Sequence, residues 1–118
     1  MAKGREGPAQ AIYADRPPER ARVAIDVAAA GDNTIIAGRS AERIAIYQLV
    51  LWAQAAVTVQ LLDGGQSING AGFNFAAQQG TVLDSDLNPL MLGEGAAFTI
   101  VLGSAQRVTG WAQYRYER

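Results

Sequence analysis

Hydrophobic and polar positions alternate over several short stretches of this 118-residue chain, and one longer stretch does not alternate throughout. Val57, Val59 and Leu61 share one side and Thr58 and Gln60 the other. That period of two marks a half-buried strand. In "RVAIDV", Val23, Ile25 and Val27 fall on one face. "RVTGWAQYRY", residues 107–116, sets Val108, Gly110, Ala112 and Tyr114 against Thr109, Trp111, Gln113 and Arg115. "TIIA", "QSI", "GFNF", "TVL" and "AFTIVL" add shorter apolar runs, separated by turn-like "AAGDN", "NGAG" and "AAQQG". About eight or nine short strands at this spacing predict an all-β fold, a β-sandwich or jelly roll. The runs do not alternate with helical patterns, which disfavours a parallel βαβ sheet.

The exception is "RIAIYQLVLWAQAAVTVQLLDGG", residues 43–65, uncharged from Ile44 to Leu62. A membrane-spanning helix needs about 20 predominantly apolar residues. Gln48, Gln54, Thr58 and Gln60 interrupt this run with groups that are costly in lipid. The first half is apolar on both sides, with Ile44, Ile46, Val50 and Trp52 against Ala45, Tyr47, Leu49 and Leu51. Its β-branched residues favour pleated structure. Two strands joined at "AQAA" are therefore expected, the first covered on both faces, with Trp52 packed in the core. A helix over residues 41–55, capped by Ser40, is the structural rival. "DGG" at 63–65 reads as a turn.

Composition divides the chain. Residues 1–22 carry five basic groups against three acids, a net charge of +2; the remainder carries five arginines against eight acids, a net of −3. Pro8, Pro17 and Pro18 also lie in that first segment. An extended N-terminal arm over residues 1–22 and a single β-sandwich domain over 23–118 follow. The N-terminus has no apolar stretch of the secretory-signal kind. The overall net charge of −1 points to no nucleic-acid partner, and no membrane partner is expected. Charged residues make up 18%, below the roughly 25% usual for soluble domains. Surface shared with other subunits accounts for such a deficit.

Candidate chemistry is sparse. Without His or Cys the chain cannot supply a Ser-His-Asp triad, a thiol nucleophile or a His-ligated zinc. Asp84 and Asp86 could share a strand face, but beside Asn88-Pro89 they read as a solvated turn. "DSDLN" opens like a calcium loop; Pro89 stands where that loop needs glycine, and Gly95 where it needs a bidentate glutamate. The glycine-rich stretches lack a P-loop lysine. No enzyme activity and no cofactor or metal are expected. Candidate partner-binding residues are Ile12, Tyr13, Arg16 and Arg20 on the arm, and Trp111 and Arg115 on the mixed face of the last strand.

"IDVAAAGDNTIIAG", "RIAIYQLVLWAQAAVTVQLLDGG" and "PLMLGEGAAFTIVLGSAQRVTGWAQYRYE" together resemble a group of small proteins encoded in the structural modules of tailed bacteriophages. The resemblance covers about residues 25–116, with "GDN" at 31–33 and "GW" at 110–111 as its best points. It implies a jelly-roll sandwich, often trimeric, serving as an auxiliary capsid component (a decoration or cement protein) or at times a tail-associated adhesin. The expectations that follow are a structural virion protein on the capsid surface, assembled in the host bacterial cytoplasm. Its partners would be the major capsid protein and itself, as a homotrimer. The alternative is a receptor- or glycan-binding jelly-roll module of a phage tail or head fibre.

Overall fold

A computed structural model describes residues 20–118. Ten strands and no helix occur among them: β1 (Ala21–Val27), β2 (Gly31–Ile36), β3 (Arg43–Ala53), β4 (Val57–Asp63), β5 (Gln66–Ser67), β6 (Phe73–Phe75), β7 (Gln79–Asp84), β8 (Leu90–Met91), β9 (Phe98–Leu102) and β10 (Val108–Glu117). They form two antiparallel sheets packed face to face. Sheet A runs β1-β10-β3-β7, with β8 also on β3; sheet B runs β2-β9-β4-β5, with β6 also on β4. Without the two-residue strands β5 and β8, every successive pair of strands except β4 and β6, which are neighbours in sheet B, passes between the sheets, in the connectivity of a jelly roll.

The core lies between the sheets. Ile25, Leu49, Leu51, Ala112 and Val108 meet Val59, Leu61, Phe98, Ile100 and Leu102, all at most 2% exposed. The alternation of β1, β4 and β10 holds as read from the sequence. The 43–62 run is two strands, as expected, and the uncapped "AQAA" link carries the chain from sheet A to sheet B.

The two-sided cover expected for β3 holds for only part of it. Gln113 pairs with Gln48 and Tyr114 with Ile46, so Tyr47 is an extra residue, a β-bulge. Before the bulge Ile44 and Ile46 face the core; after it Leu49, Leu51 and Ala53 do. The apolar set changes parity within one strand, which is why both faces look apolar in sequence. Trp52 therefore points outward and is 49% exposed, not packed in the core. The strand β8 was not foreseen, because "PLML" reads as loop.

Two of the sequence's marked points have structural work. Gly31 has φ +90°, and the Asn33 amide donates to the carbonyls of Ala29 and Gly31, closing the β1–β2 corner. Gly110 has φ +150°, and a Cβ there would collide with the Val50 carbonyl across the β10–β3 ladder.

Candidate interaction surface

The register of sheet A stacks its outward-facing residues in rows across four strands. One row is apolar: Ala24, Trp111, Val50, Val82. The row on one side is Asp26, Thr109, Trp52, Gly80, and on the other Arg22, Gln113, Gln48, Asp84. Trp52 lies against Gly80, where a Cβ would come within 3.0 Å of its Cε3. Beside it Arg107 makes a bidentate pair with Asp26, at 2.9 and 2.7 Å. That pair holds the Asp26 carboxyl below its ordinary range. Gln54, Arg107 and Thr109 complete a shallow hollow beside Trp52.

At the other end of this face the bulge places Tyr47 between two arginines. Arg20 lies 3.7 Å from its ring centroid and Arg115 5.4 Å. Tyr47 is 5% exposed, and its hydroxyl donates to Glu117 at 2.7 Å. Burial, then the Glu117 hydrogen bond, pushes the Tyr47 hydroxyl pKa up; the same bond and Arg115 hold the Glu117 carboxyl down. Arg115 Nε also donates to Glu117 at 2.7 Å. Arg20 pairs with Asp86 in the loop after β7 and reaches Gln113 at 3.3 Å. Trp111 Nε1 donates to Gln48 at 3.0 Å, with the Arg22 guanidinium 5.4 Å from its ring. Flat, hydrogen-bonded aromatic and guanidinium groups of this kind suit protein contacts, because little rotamer freedom remains to be lost on binding.

Exposed large hydrophobic residues gather on one side of the same sheet. Among the described residues they are Trp52, Val82, Leu83, Leu87 and Met91: four lie on β7, on β8 or in the loop between them, and Trp52 packs beside β7. β7 is an edge strand with no partner on its outer side among the described residues. Between the sheets at this edge lies a cavity of about 380 Å³, lined by Ile46, Leu49, Leu61, Phe73, Leu83 and Leu90, with Asn69, Ser85 and Asn88 also at its wall.

Arg20, Trp111 and Arg115, named from sequence, thus share one face, whereas Ile12, Tyr13 and Arg16 lie outside the described residues. Asp84 and Asp86 form no acidic pair with a cleft; Asp86 takes Arg20. The Ser85 hydroxyl donates to the Asn88 carbonyl, making "DSDLN" a closed turn. No group of three or more His, Cys, Asp or Glu that could hold a metal lies among the described residues, and no helix there is long and apolar enough to cross a membrane. Sequence reading missed Tyr47, Gln48, Arg22 and the β7–β8 edge. The available signal was Val82 beside Leu83 in a short strand, apolar on both faces where alternation would leave one polar. No protein-family model, curated protein or solved structure matches this chain.

Proposed function

We propose that this chain is a structural protein of a tailed bacteriophage, a head decoration or cement protein that binds the outer capsid surface and reinforces joints between major capsid subunits. The observation that carries the reading is the one-sided surface: tryptophans, stacked arginines and exposed aliphatic residues concentrate on the outer face and edge of sheet A. The resemblance over residues 25–116 directs that surface to a capsid, and self-association as a homotrimer belongs to the same reading. The work is mechanical. A standard interface buries roughly 1,600 Å² in total. Repetition over a shell multiplies modest affinities through multivalency.

The test is co-sedimentation of the purified chain with shells of the major capsid protein that lack decoration. Saturable binding at fixed stoichiometry, followed by greater resistance of the shells to heat, supports the reading; no binding at any concentration removes it. A second reading is favoured by a specific feature, the half-exposed Trp52 beside Gln54, Thr109 and the Arg107–Asp26 pair. An aromatic platform ringed by amide, hydroxyl and guanidinium groups fits a sugar ring. Glycan-array binding abolished by Trp52→Ala, with capsid binding absent, selects that alternative.

A further inference from the structure

The two sheets are each interrupted along one edge, and the two interruptions open on the same space. On sheet A, β7 pairs with residues 48–53 and β8 with Ala45 and Ile46, so the loop 85–89 stands opposite the bulged Tyr47. On sheet B, β6 pairs with residues 57–59 and β5 with Leu62 and Asp63, so the loop 68–72 stands opposite Gln60 and Leu61. Tyr47, Ser85, Leu61 and Asn69 all line the cavity of about 380 Å³ between the sheets. Neither sheet supplies a continuous edge strand at this level. The core therefore reaches the surface here, past Leu83 and Met91, each 40% exposed.

The wall has little to offer a polar ligand. Its apolar part includes Ile46, Leu49, Leu61, Phe73 and Leu90. Its polar groups are engaged within the protein. The Asn69 side chain accepts from the Leu61 N–H at 2.9 Å and donates to the Val59 carbonyl at 3.2 Å, taking the place of a strand partner. The Ser85 hydroxyl donates to the Asn88 carbonyl, and Asn88 itself is exposed. The Tyr47 hydroxyl donates to Glu117, and the Gln48 side-chain carbonyl accepts from Trp111. Water held in a cavity needs several polar partners, and an apolar cavity without them stays dry. No arginine or lysine among the described residues lines this one, and acidic Asp84 lies between two wall residues, Leu83 and Ser85. An anion entering it would lose hydration without meeting a cation.

Size sets the scale of an occupant. A cavity of roughly 150 Å³ takes one benzene ring, so one of about 380 Å³ takes up to roughly fifteen carbons at the same density. That volume falls within the range of small-molecule sites. We infer that this cavity is a binding site for an uncharged small molecule whose hydrocarbon part, an alkyl chain or fused aromatic rings, enters between the sheets where both edges are broken. The site goes beyond the capsid reading and does not depend on attachment to a shell.

The experiment titrates the full chain with n-octanol and follows methyl chemical shifts. Saturable shifts should appear at Ile46, Leu49, Leu61, Leu83 and Leu90, while Ile25 and Val108, core residues away from the cavity, stay still. Affinity should rise about fourfold per added methylene from n-hexanol to n-octanol. Octanoate, with the same chain length and a charged head, should bind at least ~5-fold more weakly. Ile68→Trp and Leu83→Trp, changes at partly exposed wall positions, should each fill the cavity and abolish the saturable shifts. The wild-type shift map is a test even where a variant fails to fold. An absence of saturable shifts, shifts spread through Ile25 and Val108, octanoate binding as tightly as n-octanol, or unchanged binding by both folded variants would each overturn the inference. Shifts seen only after residues 2–19 are removed, or only at dilutions where the chain is a monomer, would give the cavity to a segment of this chain or to a second copy, and would overturn it as well.

Discussion

The two outer faces of this sandwich are built from the same strand geometry and differ in where their large aromatic and guanidinium groups lie. Across sheet B the outward positions are Asp32, Val101 and Gln60 in one row and Thr34, Thr99, Leu62 and Ser67 in the next. Thr58 there bonds to Asn74 at 2.9 Å. This face mixes polar side chains with Val101 and Leu62, carries no tryptophan, and has Thr99 buried in its middle. Across sheet A the outward positions include Trp52, Val82, Trp111, Tyr47 and Arg115, with three arginine side chains set near aromatic rings. Both faces enclose one core, so burial demands do not explain the difference. A sheet needs only one apolar face to fold. The apolar row on the far side of sheet A is surplus to folding, and in the proposed reading it is the part that meets a partner.

The comparison can be broken from beneath. Leu51→Asp places an unpaired charge in the core under sheet A and should cost more than about 4 kcal/mol, abolishing the cooperative transition in urea. Gly110→Ala acts on the ladder itself: the new Cβ meets the Val50 carbonyl, and a loss of about 2–4 kcal/mol is expected in the same denaturation experiment.

It can be sharpened by changing one face at a time. Trp111→Ala should weaken partner binding about 30-fold, corresponding to about 2 kcal/mol, because a central tryptophan is the usual hot spot. Gln60→Ala and Thr34→Ala on sheet B should leave affinity within about twofold. Titration against immobilised shells separates these outcomes, and equal losses on the two faces would erase the distinction.

Tyr47→Phe is a smaller perturbation. It removes the hydroxyl bond to Glu117 and should cost about 1 kcal/mol in thermal unfolding. The same pair sets a pH dependence. Glu117 is depressed from its ordinary value of 4.5, so its contribution is present above pH 4.5 and is lost as pH falls below it. Tyr47 is raised from 10.0, so its contribution is present below pH 10 and is lost as pH rises beyond it. Stability should slope at both ends, and both slopes should flatten in Tyr47→Phe.

Much of the fold was legible because alternation is a local property. Val57–Leu61 and Val108–Arg115 state their own faces, and so reveal which side of Trp111 and Arg115 is outward. The bulge at Tyr47 was not legible. An inserted residue leaves no mark in a strand whose neighbours are all apolar, and it reverses the facing of Trp52. The Arg20–Tyr47–Arg115 stack was hidden for another reason. It joins β1, β3 and β10 through register, and Arg20 meets Asp86 across 66 positions of sequence. Arg20, Trp111 and Arg115 were singled out by composition and strand face, whereas their shared location is a product of topology.

The most direct measurement is a side-chain footprint of the protein free and bound to undecorated shells, by hydroxyl-radical labelling and mass spectrometry. Protection should appear at Trp52, Trp111 and Met91 on the outer face and edge of sheet A, while Leu62 and Val101 on sheet B label equally in both states. Protection of Leu62 and Val101 with Trp52, Trp111 and Met91 unchanged would contradict the account.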